Sequence, residues 1–368
     1  MRRNRKIIIL ASCSVLLTII VVILRMPKGY TPVAPTQYDS AALKATIVVP
    51  TLDTPIPEGK SAVWCAAFEI AWKQAEKDIF KGPCLPQNGK ETAARLTASS
   101  ISEADFAPAS VFAAAGDPKS VQQKLNAEFP QKFPGRSVPQ LTEQDGILSY
   151  SAVNLSVPFQ IPFFENDKPL LFTDANGTKT AVDSFGIRDK DDYAYYKLRD
   201  QVGVLFAKHG KQYELLEFAL DLCRSSGPYQ IIVAVIPRHA TLSAAMNYVR
   251  IGPKASEEDK YSTHEFGPND AMLIPNQTWA ITHHFKDLTG PMLNPGFEKT
   301  PLVDAFQLLQ FKLDRSGAEL NAEAKVLVLP IPSYYYVDRP FLLYIQKRGA
   351  ANPIFAAWID NAELLQKR

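Results

Sequence analysis

The side chains that most readily bind a metal ion are concentrated at His283 and His284, with His264 and Glu265 earlier in the chain. Imidazole and carboxylate groups are ordinary zinc ligands. The stretch "THHF" that holds the two adjacent histidines has the composition of a strand, in which neighbouring side chains point to opposite faces. One ion would then meet both imidazoles only at a bulge. We therefore expect structural histidines, with no metal and no other cofactor.

Catalytic signatures are missing from the sequence. The patterns H-E-x-x-H, G-x-S-x-G, Walker and G-x-G-x-x-G do not occur. Cys223, in "LDLCRSS", has no base beside it, and the acidic runs "RDKDDY" and "SEEDK" lie between apolar segments, as solvated loops do. These observations predict a protein without catalytic residues. An uncharacterised hydrolase is the alternative, and it requires titratable side chains that converge in a pocket.

Composition bounds the class of protein. The chain has 368 residues, of which 46% are hydrophobic, enough for one large folded domain or two smaller ones. Lys and Arg number 40 against 38 Asp and Glu, which leaves a net charge of +2. Because nucleic-acid binding needs a concentrated positive charge, this balance argues against a nucleic-acid partner.

The first 25 residues predict a membrane anchor. The cations of "MRRNRK" precede a run from Ile7 to Leu24 that carries no charge. As a helix this run is roughly 27 Å long, close to the thickness of a hydrocarbon core. The excess of cations before it keeps the N-terminus in the cytoplasm, so the rest of the chain faces the periplasm or the extracellular or lumenal side. A cleaved signal peptide and lipidation at Cys13 are the alternatives.

Residues 26–60 contain six prolines and predict an extended stalk, although "ATIVVP" in its middle has the composition of an edge strand. A folded domain is predicted over residues 61–365. Its first part, from Ser61 to Phe133, is expected to be mainly helical, with one helix over Ala62–Phe80.

Another helix is expected to begin after Asp117, which has the residue type of an N-cap, and a third after Thr241. Beyond Leu141 the chain changes to short apolar or alternating runs separated by turn residues such as Asn176-Gly177. Helices first and strands later predict an α+β domain with largely antiparallel sheets.

Cys65, Cys84 and Cys223 lie in the part of the chain that is predicted to face outward. The predicted helix places Cys65 roughly 22 Å behind Phe80, and four further residues reach back at most roughly 14 Å, so a Cys65–Cys84 disulfide does not fit. Either one of these two pairs with Cys223, or all three are buried thiols.

Near the C-terminus, the runs "DRPFLLYI" and "PIFAAWID" predict a hairpin of two buried strands. The spacing of Pro340, Phe341 and Phe355 in these runs resembles the closing hairpin of serpins. "SAVNLSVPFQIPFFE" and "KTAVDSFGI" are similar to strands of the same family, and "FKLDRSGAELNAEAKVLVLPIP" resembles the strand that carries the serpin hinge into the reactive-centre loop.

The resemblance implies a serpin-like domain with a loop around residues 317–337. By resemblance, the hinge residues of this loop are Gly317, Ala318, Glu319, Ala322 and Ala324. The scissile bond is implied at Ile331-Pro332, where proline disfavours cleavage by most endopeptidases. The run Tyr334–Tyr336 that follows is either an exposed contact surface or interior packing.

We therefore expect a membrane-tethered, serpin-like protein that binds a protein partner without chemistry. An inhibitor of serine or cysteine proteases, acting through the same loop, is the alternative.

Overall fold

The computed structural model describes residues 35–107, 110–141, 146–153, 155, 157–188, 193–211, 214–224, 227–253, 265–316 and 333–368. All of them belong to one compact unit, Pro35–Arg368. The predicted anchor, residues 1–25, lies outside the described residues. None of the helices that the structure describes is both long enough and apolar enough to cross a membrane.

The described part of this unit contains five α-helices and eighteen strands. The helices are α1 Ala66–Ala75, α2 Lys90–Ala98, α3 Pro118–Lys132, α4 Tyr193–Asp200 and α5 Leu242–Ile251. The strands are β1 Thr36–Asp39, β2 Thr46–Val48, β3 Ser61–Cys65, β4 Val111–Gly116, β5 Leu148–Val153, β6 Phe164–Glu165, β7 Leu170–Thr173, β8 Lys179–Val182, β9 Ser184–Ile187, β10 Gly203–His209, β11 Leu215–Asp221, β12 Tyr229–Val235, β13 Ala271–Pro275, β14 Gln277–His284, β15 Phe306–Leu313, β16 Tyr334–Tyr336, β17 Phe341–Lys347 and β18 Pro353–Ile359.

The strands form a seven-stranded sheet in the order β10-β11-β12-β17-β18-β3-β2 and a four-stranded sheet in the order β16-β13-β9-β6. A three-stranded sheet has the order β1-β14-β15, and β4-β5 and β7-β8 form two further pairs. Pairing is antiparallel except between β1 and β14, β2 and β3, and β13 and β16. The prediction of an α+β domain with largely antiparallel sheets is therefore confirmed.

The C-terminal hairpin is at the centre of the seven-stranded sheet. Strands β17 and β18 pair antiparallel, and they lie between β12 and β3. All residues of β18 are buried, as are the first five of β17. Strands that are covered on both faces have near-continuous apolar sequences, which is why the sequence predicts this pair.

The helix predicted over Ala62–Phe80 is wrong in its first part. Residues Ser61–Cys65 form β3, which pairs with β18, and α1 begins only at Ala66. A π-helical turn, Glu76–Phe80, ends it. The stretch "SAVWC" is buried at four of its five positions, so pairing with a central strand outweighs the helical spacing of its apolar residues.

The stalk predicted over residues 26–60 is also wrong from residue 35 onward. Strand β1 pairs with β14, and β2 is the edge strand that "ATIVVP" predicted, paired with β3. Val48, Val49 and Ile56 are buried in the main core. Pro35 directly precedes β1 and Pro50 lies two residues after β2, so these two prolines flank short strands of the folded unit.

Both predicted N-caps are confirmed. The Asp117 side chain accepts a hydrogen bond from Ser120 N (3.0 Å) at the start of α3, and Thr241 Oγ1 accepts one from Ala244 N (3.1 Å) at the start of α5. The region before α3 is less helical than predicted, because "VFAAAG" forms β4 and pairs with β5. Together α3, β4 and β5 enclose a second, smaller apolar core.

The three cysteines are free thiols, and the disulfide alternative is not realised. Cys84 and Cys223 are buried. Burial raises the pKa of each of these two thiols to about 12, so both stay protonated at neutral pH. Cys13 lies outside the described residues.

Candidate functional site

The candidate site is the connection between β15 and β16, which joins two different sheets. Strand β15 pairs with β14 along one edge, and no strand of the described residues pairs with its other edge. Its inner face buries Gln307, Leu309 and Leu313, whereas Phe306 and Leu308 on its outer face are exposed. The connection therefore begins where β15 ends, at the edge of the three-stranded sheet.

Arg315 fixes the outgoing end of the connection. Its carbonyl oxygen accepts a hydrogen bond from Phe163 N (3.0 Å), and its Nε donates to the Phe163 carbonyl (2.8 Å). Phe163 directly precedes β6, an edge strand of the four-stranded sheet. The Glu165 carboxylate, 3.9 Å from Arg315 Nε, adds electrostatic attraction at this end.

Ser333 and Asp270 fix the returning end. Ser333 N donates to Asp270 Oδ1 (2.8 Å), and the Ser333 carbonyl accepts from Ala271 N (3.1 Å). Strand β16 then pairs parallel with β13 at the other edge of the same sheet. Both ends of the connection are thus held by hydrogen bonds to the four-stranded sheet, at its opposite edges.

The distance between these ends is short compared with the chain that joins them. Three strand spacings separate β6, next to the Arg315 contact, from β16, or about 14 Å at ~4.8 Å each. Fully extended, the intervening chain reaches roughly 55 Å. Residues 317–332 therefore have much more length than the crossing of the sheet requires.

The residues that the resemblance assigns to the hinge and to the scissile bond lie outside the described residues. They are Gly317, Ala318, Glu319, Ala322, Ala324, Ile331 and Pro332. Their roles stay predictions. The structure describes the anchors on either side, and Arg315, Phe163 and Asp270 were not singled out from the sequence. A cation two residues after a strand marks Arg315, and the turn residues of "GPND" mark Asp270.

Both interpretations of the run Tyr334–Tyr336 are correct, each for different residues. Tyr335 is 2% exposed, and its ring centroid lies 5.3 Å from that of Phe218 and 5.5 Å from that of Phe266. Tyr334 is 56% exposed, Tyr336 is half-buried, and the two rings meet edge to face at 5.6 Å. The alternation of β16 therefore buries the middle tyrosine and leaves the outer two at the surface.

The C-terminal hairpin contacts the strand that leads into the connection. Phe355 of β18 pairs with Ile345 of β17, and its ring stacks on Phe311 of β15 with centroids 4.5 Å apart. Pro340 directly precedes β17, and Phe341, the first residue of that strand, is fully buried. The two C-terminal features of the resemblance are therefore in direct contact.

A partly buried ion pair holds the turn of this hairpin. Arg348, just after β17, donates from Nη1 to Asp221 Oδ2 (2.9 Å) and from Nη2 to the Cys223 carbonyl. Asp221 is buried and also accepts from Gln230 Nε2 (2.9 Å). The polar turn residues of the hairpin thus attach it to the β11–β12 connection.

The adjacent histidines do not meet at one point. His283 Nδ1 lies 2.7 Å from Ser40 Oγ, and His284 Nδ1 lies 2.9 Å from Asp304 Oδ1, on opposite faces of β14. Burial lowers the pKa of His283. Within the described ranges no group of three or more His, Cys, Asp or Glu side chains is arranged to hold a metal ion, and His264 lies outside them.

One cluster of titratable groups is compact. Glu217 lies 2.6 Å from Lys208 Nζ and accepts a hydrogen bond from the Tyr248 hydroxyl, and the His239 ring lies 4.9 Å from that of Tyr248. Burial and the Glu217 carboxylate raise the pKa of Tyr248 to about 12. Because Lys208 and Tyr248 already engage both oxygens of Glu217, the arrangement favours a structural ion pair over a general base.

No family model and no curated protein sequence matches the chain. Solved structures do. A serpin from the trematode Schistosoma haematobium is 13% identical, with 83% of this chain and 94% of that one covered at a TM-score of 0.46.

Native protease nexin-1 with heparin is 12% identical at a TM-score of 0.45, and human thyroxine-binding globulin is 11% identical at 0.43. Each comparison covers 82% of this chain and 92% of the other. The fold resembles that of serpins. At these identities and TM-scores the likeness concerns the fold alone and carries nothing about activity.

Proposed function

We propose that the chain is a non-catalytic, serpin-like protein that binds a protein partner through residues 317–332, and that residues 7–24 tether it to a membrane. The observation that carries the proposal is the pair of anchors, Arg315 at one edge of the four-stranded sheet and Ser333 at the other. A segment with roughly 55 Å of reach between sheet edges about 14 Å apart is long enough to contact another molecule well outside the sheet.

The residues of the segment favour binding over inhibition. Inhibition by insertion needs small side chains on the face that enters a sheet, and Leu320 interrupts the alanines there. The implied scissile bond precedes Pro332, whose fixed φ and missing N–H disturb the extended geometry that proteases bind. The apolar run Val326–Leu329 is a contact surface for a partner, since such runs are seldom left in water.

The membrane part of the proposal is supported by the charge pattern of the N-terminus. An uncharged run of this length after a cluster of cations is what a signal anchor requires. The tethered unit would then face the periplasm or the extracellular or lumenal side. Its partner would be a protein, since the balanced net charge of +2 gives this chain no strong attraction to a nucleic acid.

One observation favours the inhibitor alternative. Strand β15 has an edge that no strand of the described part occupies, and an added strand would find main-chain donors and acceptors there. Ala318, Ala322 and Ala324 are small enough to face inward in such a strand. The inhibitor mechanism would release stored strain when the cleaved segment enters the sheet.

Limited proteolysis followed by thermal unfolding separates these functions. The full chain in detergent is nicked with elastase or thermolysin, the cut is located within residues 317–332 by mass spectrometry, and melting is followed by circular dichroism. We expect the nicked protein to melt at the same temperature as the intact one, and no SDS-resistant adduct to form with serine or cysteine proteases.

The variant Ala322→Pro is the matched control, because proline removes a donor from any strand that the segment could form. A melting temperature that rises on nicking in the wild type, and not in Ala322→Pro, would establish the inhibitor mechanism instead.

A further inference from the structure

A cavity lies at the C-terminal end of α1 and shares no residue with the connection between β15 and β16. Its volume is about 630 Å³, in the range of sites that hold small molecules. It is lined by the π-helical turn after α1, by the residues that follow this turn, and by Thr97 near the end of α2. Three of the lining side chains are the lysines Lys73, Lys77 and Lys81, so the lining has the composition of an anion site.

The carboxylate in the lining is already engaged. Glu76 Oε1 accepts hydrogen bonds from the Thr97 hydroxyl and from Cys84 N (3.2 Å), and Glu76 Oε2 lies 3.5 Å from Lys73 Nζ. Lys73 Nζ also donates to the Thr97 carbonyl. Glu76 and Lys73 therefore neutralise each other in the wall of the cavity.

The charges of Lys77 and Lys81 are not used in this way. Both side chains are exposed, so they lie where the cavity opens to solvent. Neither Nζ forms an ion pair or a hydrogen bond with another residue that the structure describes. The lining therefore keeps two positive charges for a ligand.

The wall that follows Lys81 is held in place by Asn294. This residue is 5% exposed, its Nδ2 donates to the Pro83 carbonyl (2.8 Å), and its Oδ1 accepts from Leu85 N (2.8 Å). Leu293 N also donates to the Leu85 carbonyl (2.7 Å). This side of the cavity is thus formed by the fold itself, before any ligand binds.

Lys81 has a backbone conformation that favours glycine. Its φ is 53°, and no other non-glycine residue in the part of the chain that the structure describes has a positive φ. Glycine takes this conformation at a helix end without the steric clash of a Cβ. The glycine of this turn is instead the next residue, Gly82, where a Cβ would have nothing within 4 Å. Residues with such strain are concentrated at ligand sites, which indicates that the Lys81 side chain is needed in the cavity.

We propose that this cavity binds the phosphate group of a small phosphate monoester, whose oxygens accept hydrogen bonds from Lys77 and Lys81. Such a group carries close to two negative charges at pH 7, which matches the two remaining positive charges, whereas a carboxylate carries one. Lysine is a common phosphate ligand. The phosphate fills only part of the cavity, and the rest of the volume accommodates the esterified group. The proposal is independent of the proposed binding function, because no residue of the connection between β15 and β16 takes part.

Isothermal titration calorimetry of the full chain in detergent tests the proposal, with inorganic phosphate and ribose 5-phosphate as probes. We expect ribose 5-phosphate to bind once per chain, and gluconate, which carries one charge, to bind about 10-fold more weakly. Lys77→Ala and Lys81→Gly should each weaken phosphate binding about 10-fold, or about 1.4 kcal/mol, close to what a hydrogen bond to a charged group contributes. No binding of either phosphate probe to the wild type would overturn the proposal, and so would unchanged binding in either variant.

Lys132→Ala is the matched control. Lys132 is likewise a basic residue in the last turn of its helix, α3, but it lies outside the cavity. This variant should bind both phosphate probes as the wild type does. An equal loss of affinity in Lys132→Ala would mean that phosphate is attracted by net charge alone, and the site would be rejected.

Thermal unfolding without a ligand separates binding from a structural role of Lys81. A lysine at a helix C-terminus interacts favourably with the helix dipole, so a purely structural Lys81 would give Lys81→Gly a lower melting temperature. We expect instead that Lys81→Gly melts at the same or a higher temperature, because glycine removes the steric clash, while its phosphate binding is weakened. A lower melting temperature with unchanged phosphate binding would assign Lys81 to the fold and contradict the proposal.

Discussion

At the scale of single residues, buried polar side chains join elements that the sequence keeps apart. Glu69 of α1 is 1% exposed, accepts from Trp64 Nε1 of β3 (2.7 Å), and accepts from the Ser99 hydroxyl after α2. Desolvation by burial raises its pKa from 4.5 to about 7, against the opposing effect of these hydrogen bonds. Between pH 4.5 and about 7 the Glu69 carboxyl group is therefore protonated in the folded protein and ionised in the unfolded chain.

We expect Glu69 to make the free energy of unfolding depend on pH between about 4.5 and 7. Since the folded-state pKa is raised, the stability that the bound proton contributes is complete below 4.5 and is lost as the pH rises through 7. The loss is on the order of 3 kcal/mol. Urea unfolding at pH 5 and pH 8 should show this decrease in the wild type relative to Glu69→Gln. Equal pH dependence in both proteins would show that the carboxyl group does not titrate in this range.

At the scale of elements, the four-stranded sheet that anchors the segment depends on one close contact. Gly186 of β9 pairs with Leu273 of β13, and a Cβ at position 186 would lie 1.7 Å from the Met272 carbonyl oxygen. No side chain fits there unless β9 and β13 separate. Because β13 also pairs with β16, the returning end of the connection depends on the same contact.

The substitution Gly186→Ala should therefore lower the free energy of unfolding by about 3 kcal/mol or more, as overpacking against backbone does in severe cases. Gly82→Ala is the control, because a Cβ there has nothing within 4 Å, and its effect should stay within about 0.5 kcal/mol. Urea unfolding measures both. Similar stability of the two variants would mean that the strands adjust at no cost, contrary to the geometry.

At the scale of the whole molecule, the folded unit begins earlier than its sequence indicates. Strands β1 and β2 belong to two different sheets, and Val48, Val49 and Ile56 fill the main core. A proline-rich region that had been expected to act as a spacer is thereby part of the structure that positions β14 and β3.

Two truncations test this boundary. A chain that starts at residue 35 keeps every described element and should match the full chain in urea unfolding. A chain that starts at residue 61 should lose roughly 5 kcal/mol, because three buried apolar side chains contribute about 1.5–3 kcal/mol each. Equal stability of the two truncated chains would show that residues 35–60 act as a stalk outside the folded unit.

Cell fractionation of the full chain and the two truncated chains tests the membrane anchor. We expect only the full chain in the membrane fraction.

Features that depend on a few adjacent residues were predictable from the sequence. Asp117 and Thr241 cap helices with their own side chains, and Asn176-Gly177 lies in the turn between β7 and β8, where Gly177 has a φ of 84°. The closing hairpin was predictable because each of its strands contains an uninterrupted apolar stretch and the two are joined by turn residues. In each case the deciding interaction is local.

Only the tertiary structure decided what β1, β3 and β4 would be and which residues hold the segment 317–332. Strand β3 has the apolar spacing of a helix, and it becomes a strand because β18, at the other end of the chain, offers it a row of backbone donors and acceptors. Asp270 and Arg315 likewise gain their roles from Ser333 and Phe163, which are distant in sequence. The local sequence shows only the intrinsic preference of each residue. These roles come from the free energy of pairing with partners that lie far away in the chain.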